Sequence, residues 1–299
     1  MWPRATTIVA DEAEFHAAVE RAKMYTYRRT CPLLASAPGS LDHIASGVLV
    51  RAGTRTLVVT AAHALDGIRR ENAVPALALS GTATGPVTVL PFEFAETVAP
   101  RGDRLRDRVD VAAIPVPNSV NPVGRGYEAA EMGEIDPRYE PAAGDVVVVQ
   151  GFPVERTTSV GAPGIPGVSV ESTYFYSTAS ADLPRKVRPR DRARAPSFSV
   201  RFDRDPAVRV GLIGKAPHPR GLSGSGVWLL GRTDSTSGRW AALGEPRLVA
   251  IVQEWHHAER ALVVTRADAV AACVSLCPGA RDAVLDAFPD LAAVRQAAT

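Results

Sequence analysis

Apolar positions along this chain recur mostly with period two or in short solid runs broken by Gly, Pro and Asn; a helical period shows only towards the two ends. Asp11 to Lys23 carries Phe15, Val19 and Ala22 at helical spacing behind an acidic first turn, which predicts a short N-terminal helix. From there the strand period takes over. Gly47–Val50, Thr56–Thr60, Val74–Leu79, Val87–Leu90 and Asp110–Ile114 form a first strand series, with a hairpin turn at Arg51 to Arg55 around Gly53. Asp145–Gln150, Val168–Val170, Ser197–Val200, Gly226–Leu230, Leu248–Val252 and Leu262–Val264 form a second. Helices of the length that parallel crossovers require are missing between these runs, so the sheets are expected to be antiparallel. The chain therefore reads as all-β: two antiparallel β-barrels joined near Asn118 to Pro141, with a closing helix over Asp282 to Leu291. The expected division is an N-terminal helix and lead-in over 1–45, a first barrel over 46–140, a second over 141–270 and a C-terminal helical segment over 271–299.

Composition narrows the classes of function. With 46% hydrophobic residues in 299 there is material for a sizeable core, and 34 basic against 32 acidic side chains leave only +2. A balance so near neutral argues against nucleic acid or an anionic membrane surface as the main partner. Neither a signal-peptide pattern at Met1 to Phe15 nor a run of spanning length is found, and three cysteines with Cys31 far from Cys273 and Cys277 do not suggest a disulfide framework. These features together predict a cytoplasmic protein.

Three short stretches carry candidate chemistry: Thr60-Ala61-Ala62-His63, Asp110-Val111-Ala112-Ala113-Ile114 and Gly221-Leu222-Ser223-Gly224-Ser225-Gly226. They supply a base, an acid and a nucleophile, in that order. A serine hydroxyl is a poor nucleophile until an imidazole can take its proton, and a carboxylate that fixes the imidazole tautomer makes the base effective. Asp103 and Asp107 compete with Asp110, but Arg104, Arg106 and Arg108 place them in a charge run, whereas an apolar strand follows Asp110 directly. Ser225 competes with Ser223, which has Gly two before it and one after. The order is not that of an α/β-hydrolase, whose Gly-x-Ser-x-Gly elbow Ser223 does not meet.

Together with Ser46-Gly47 and Gly151-Phe152-Pro153, these motifs resemble the chymotrypsin-fold (trypsin-like) serine proteases of bacterial, intracellular type, over roughly Ser46 to Val270. The resemblance implies an endopeptidase with His63 as general base, Asp110 orienting it and Ser223 attacking, with the backbone N–H groups of Gly221 and Ser223 as the oxyanion hole. It implies a protein or peptide substrate held as an added strand along Gln253, Glu254 and Trp255, no cofactor and no metal. Activation by a regulatory protein partner is also expected. The chain departs from the secreted animal members at Leu222, which stands where they carry the Asp that receives a newly cut N-terminus, and at Ala64, where they carry a disulfide cysteine. A catalytically silent module that binds a protein partner is the rival reading.

Other polar clusters change little. Adjacent His256 and His257 would point to opposite faces of a strand, and Cys273 with Cys277 is too few ligands for zinc. Glu254 could attract a basic substrate side chain, and His218, Arg220 or His256 an acidic one. Arg185, Lys186, Arg188, Arg190, Arg192 and Arg194 form the most basic stretch, which could bind an acidic partner or a nucleic-acid backbone or be a self-cleavage loop but is expected to be a solvated insertion; no stacking aromatics interleave with it, which argues against single-strand binding.

Overall fold

The computed structural model describes residues 11–70, 72–78, 87–90, 95–96, 109–120, 122–160, 167–184, 197–202, 217–234 and 236–290. Helix α1 (Glu12–Arg29) starts at Asp11, whose carboxylate accepts the Ala13 and Glu14 N–H groups, and runs past the expected end at Lys23. Tertiary contacts carry it further. The Tyr25 ring meets Trp228 edge-on, and Arg29 lies over Tyr25 while its guanidinium pairs with Glu128 and Glu134.

The chain then enters a sheet directly. Strands β1 (Thr30–Ala37), β2 (Ser40–Ala52) and β3 (Arg55–Ala61) form an antiparallel meander, followed by helix α2 (Ala62–Arg70) and strands β4 (Val74–Ala78), β5 (Val87–Val89), β6 (Ala95–Glu96), β7 (Val111–Pro115) and β8 (Ala130–Glu131). The sheet order is β5-β4-β1-β2-β3-β7-β6, with β8 pairing β2 in parallel. Strand β1 went unforeseen because Pro32 sits inside it. Its pairing to β4 begins only at Leu33, so the missing N–H of Pro32 interrupts no ladder on that side.

The second half comprises β9 (Val146–Gly151), the small pair β10 (Thr157–Ser159) and β11 (Val168–Val170), then β12 (Thr173–Ser180), β13 (Ser197–Arg201), β14 (Gly226–Thr233), β15 (Trp240–His256) and β16 (Ala261–Arg266). Strands β12-β13-β16-β15-β14-β9 close into a six-stranded barrel. Helices α3 (Ala267–Val274) and α4 (Arg281–Ala287) follow the barrel. Helix α3 begins ahead of the helical segment expected from 271, since an Ala-rich octet running straight out of a strand has neither cap nor long period to announce its start.

Of the two expected barrels one is seen closed; the other half is an eight-stranded sheet among the described residues, and the segments flanking β5 and β6 lie outside them. The sheet also begins at Thr30, ahead of the expected boundary at 46. Leu33, Leu49, Val58, Leu65 and Ile114 fill the first half, while Val147, Val149, Phe198, Val227 and Val264 fill the barrel. A third apolar cluster joins the halves through Val50, Val59, Trp228, Ile251 and Val270, all fully buried. Among the described residues no helix is long and apolar enough to cross a membrane.

Candidate active site

His63 and Asp110 meet because β3 and β7 are partners. Ala61 pairs with Val111, so the residues that follow β3 and precede β7 are carried to the same edge of the sheet. Asp110 then ties itself to the start of α2: its Oδ1 accepts the His63 N–H at 2.8 Å, and its carbonyl accepts the Ala62 N–H at 3.1 Å. The other carboxylate oxygen lies 2.6 Å from His63 Nδ1. Asp110 is buried and holds φ +45°, a left-handed conformation rare for a residue with a side chain. The hydroxyl of Thr265 on β16 anchors the preceding residue by donating to the Val109 carbonyl at 2.7 Å.

On the opposite side of the imidazole, His63 Nε2 lies 3.1 Å from Ser223 Oγ. With Nδ1–H directed at the carboxylate, Nε2 is left as an acceptor facing the hydroxyl. The Gln253 carbonyl, 3.2 Å from the same Oγ, is a second acceptor for its one proton. Burial pulls the His63 pKa down, but the hydrogen bond and charge of Asp110, with help from Asp66 and Glu254, outweigh it, and the net direction is upward. An imidazole so placed can take the Ser223 proton and hold the resulting charge against Asp110.

The turn that carries Ser223 is fixed by its carbonyls. The Arg220 carbonyl accepts from Val154 N–H (2.8 Å), Gly221 from the Ser46 hydroxyl (2.8 Å), Leu222 from Ser225 N–H (2.9 Å) and Ser223 from Ser46 N–H (2.9 Å). In a planar trans peptide the N–H points opposite the C=O. Leu222 N–H goes to Pro219 O and Gly224 N–H to Val252 O, whereas among the described residues the N–H groups of Gly221 and Ser223 meet no protein acceptor. Two donors are thus left unengaged beside Ser223 Oγ, the arrangement an oxyanion needs. Gly221 has φ +92°, and a Cβ there would lie 2.7 Å from the Phe152 carbonyl oxygen.

The remaining candidates fall as follows. Ser225 is fully buried, its hydroxyl among those with no partner, and Leu222 is buried in the barrel core. Gln253 reaches the site through its carbonyl at a bulge where the β15–β16 register slips between Val252 and Glu254. The Glu254 carboxylate is 2.7 Å from His256 Nε2, and the Trp255 ring meets His218 and His257 edge-on at about 5 Å. Cys31, Cys273 and Cys277 are buried free thiols. Asp103, Asp107 and the stretch from Arg185 to Arg194 lie outside the described residues. Sequence reasoning missed the hydroxyl of Ser46, quoted only as part of a motif, and the hydroxyl of Thr265.

Comparison with known proteins adds a likeness among solved structures. No family profile matches the chain, and no curated protein matches it. Among solved structures, the chain is similar to that of a thermostable serine protease AL20 from an extremophilic microorganism: 14% identity, 81% of this chain and 92% of that one covered, TM-score 0.45.

Proposed function

We propose that this chain is a serine endopeptidase that works through an acyl-enzyme. The observation that carries the reading is the continuous line of contacts from Asp110 through His63 to Ser223 Oγ, ending beside two unengaged N–H groups. In this reading Ser223 Oγ attacks a peptide carbonyl carbon while His63 Nε2 takes its proton, and the carbonyl oxygen gathers charge between the Gly221 and Ser223 N–H groups. The C–N bond then breaks as His63 returns that proton to the leaving amine. Water, deprotonated by the same imidazole, releases the acyl group and restores the serine. Residues 46–140 bring the base and acid, residues 141–270 the nucleophile.

Peptide is held as a strand along Gln253 to Trp255, whose bulge turns the Gln253 carbonyl towards the nucleophile. Both donor groups are exposed by carbonyls already satisfied within the chain, so the reading favours a site competent at rest over one assembled by an activating partner.

A fluorophosphonate probe with mass-spectrometric mapping tests this. Modification of Ser223 that disappears in Ser223→Ala and in His63→Ala is expected. An unmodified wild-type protein overturns the enzyme reading in favour of a silent binding module, and modification of Ser225 in Ser223→Ala overturns the choice of nucleophile.

A further inference from the structure

We infer that Ser46 is a positioning residue: its side-chain hydroxyl, reaching across from β2, holds the Gly221 peptide so that the donors on the nucleophile turn stay presented. The inference rests on the functional reading above and adds to it a residue outside the three that do the chemistry.

Ser46 is fully buried, all of its polar atoms are engaged, and three of its four bonds cross to the other half of the chain. Its hydroxyl donates to the Gly221 carbonyl at 2.8 Å and accepts the Phe152 N–H at 2.9 Å. Its N–H donates to the Ser223 carbonyl at 2.9 Å, and its own carbonyl accepts the Thr60 hydroxyl at 2.8 Å. One residue of the first sheet therefore grips the turn on either side of Leu222 and also the end of β9. The hydroxyl is needed because the site asks for a short group that donates to a carbonyl and accepts from an N–H at once. Alanine would leave both of those buried groups without partners.

The reason such a grip matters lies in Gly221. A glycine at φ +92° has several backbone wells open to it, so its own preference does not choose the orientation in which its N–H faces the nucleophile. External bonds must choose. Two act on the adjoining peptides: Val154 N–H on the Arg220 carbonyl and Ser46 Oγ–H on the Gly221 carbonyl. Next to them Leu222, buried among barrel side chains, offers no carboxylate through which a charged amine could hold the turn. The hydroxyl of Ser46 supplies a restraint on the turn from within the folded chain.

The test compares Ser46→Ala and Ser46→Thr with wild type on a peptide thioester, each rate divided by the number of sites titrated with fluorophosphonate. In Ser46→Ala, kcat per titrated site should fall about 10- to 100-fold with KM within about threefold, a smaller loss than the roughly 100- to 1,000-fold expected when an oxyanion donor itself is removed. Affinity for a peptide boronic acid, whose tetrahedral adduct presents an oxygen to the two N–H groups, should fall by the same factor. Ser46→Thr, which keeps the hydroxyl, should recover most of the rate. If Ser46→Ala lowers only thermal stability and the number of titrated sites, with kcat per site unchanged, Ser46 is structural and the inference is overturned. Should wild type hydrolyse nothing, the functional reading fails separately, and amide exchange decides for Ser46: faster exchange at Phe152 and across Arg220 to Gly224 in Ser46→Ala supports the grip, and unchanged exchange refutes it.

Discussion

The two halves of the site are built by different means. His63 and Asp110 are placed by regular structure: paired strands bring them together, and the carboxylate of one closes the first turn of the helix that holds the other. Ser223 sits on an irregular turn whose conformation is held by atoms from elsewhere, Val154 from beyond β9 and Ser46 from the opposite sheet. A ladder specifies geometry through many equivalent bonds, whereas such a turn depends on a few bonds each of which can be removed alone. The acid–base pair should therefore respond to substitution mainly through chemistry, and the nucleophile turn through both chemistry and backbone conformation.

The largest expected effect is on the chemical side. His63→Ala should reduce kcat by about 10⁶-fold with little change in unfolding midpoint, since this half-exposed side chain contributes little packing. Asp110→Asn should cost about 10⁴-fold and move the acid limb of the rate profile. The sign follows from the neutral imidazole being the active form: Asp110 raises the His63 pKa, so activity in wild type is gained on crossing a pKa above 6.5, and the limb shifts to lower pH in the asparagine variant. Steady-state rates from pH 4 to 9 check both.

Gly221→Ala sharpens the contrast from the other side. The added Cβ meets backbone atoms of Phe152 and Val154 at 2.7 and 2.9 Å at a positive φ, so activity should fall about 100- to 1,000-fold and stability by about 1–3 kcal/mol. A Gly221→Ala variant with full activity would break the account of the turn.

A further effect, on stability alone, concerns β2, the strand that carries Ser46. His43 on β2 is buried between the Ala45 carbonyl (2.8 Å from Nε2) and the Thr157 hydroxyl (3.1 Å from Nδ1), and burial pulls its pKa down to about 4. A depressed base favours the folded state while neutral, so this contribution is full above about pH 6.5 and is lost as pH falls towards 4, by up to about 3 kcal/mol. Denaturant unfolding of His43→Phe should show a flatter stability profile across that window. An unchanged acid dependence would sink the assignment.

What the sequence revealed follows the same division. His63, Asp110 and Ser223, which the structure brings into contact, were legible as candidates because each sits in a short motif bound to a strand end or a glycine turn, and the strand ends are where period-two reading is strongest. The role of Ser46 was not, because its hydroxyl bonds to backbone atoms 106 and 175 residues away, and no local pattern records such partners. Helix α2 was hidden since Ala61, Ala62 and His63 read equally well as the end of a strand. Closure of the first strand series was not legible either, since alternation gives the face of a strand but not whether the outer strands meet.

The terminal helices deserve a mechanical reading. Helix α1 packs its Phe15, Val19 and Ala22 side on the barrel wall and then becomes the first strand of the sheet, while α3 leaves the barrel as the continuation of β16 and packs against β7 and β3 of that sheet. Each half is thus strapped by the other's end of the chain, as two boards are by crossed ties. Such ties resist separation of the halves, so the spacing from His63 to Ser223 is held by packing remote from it.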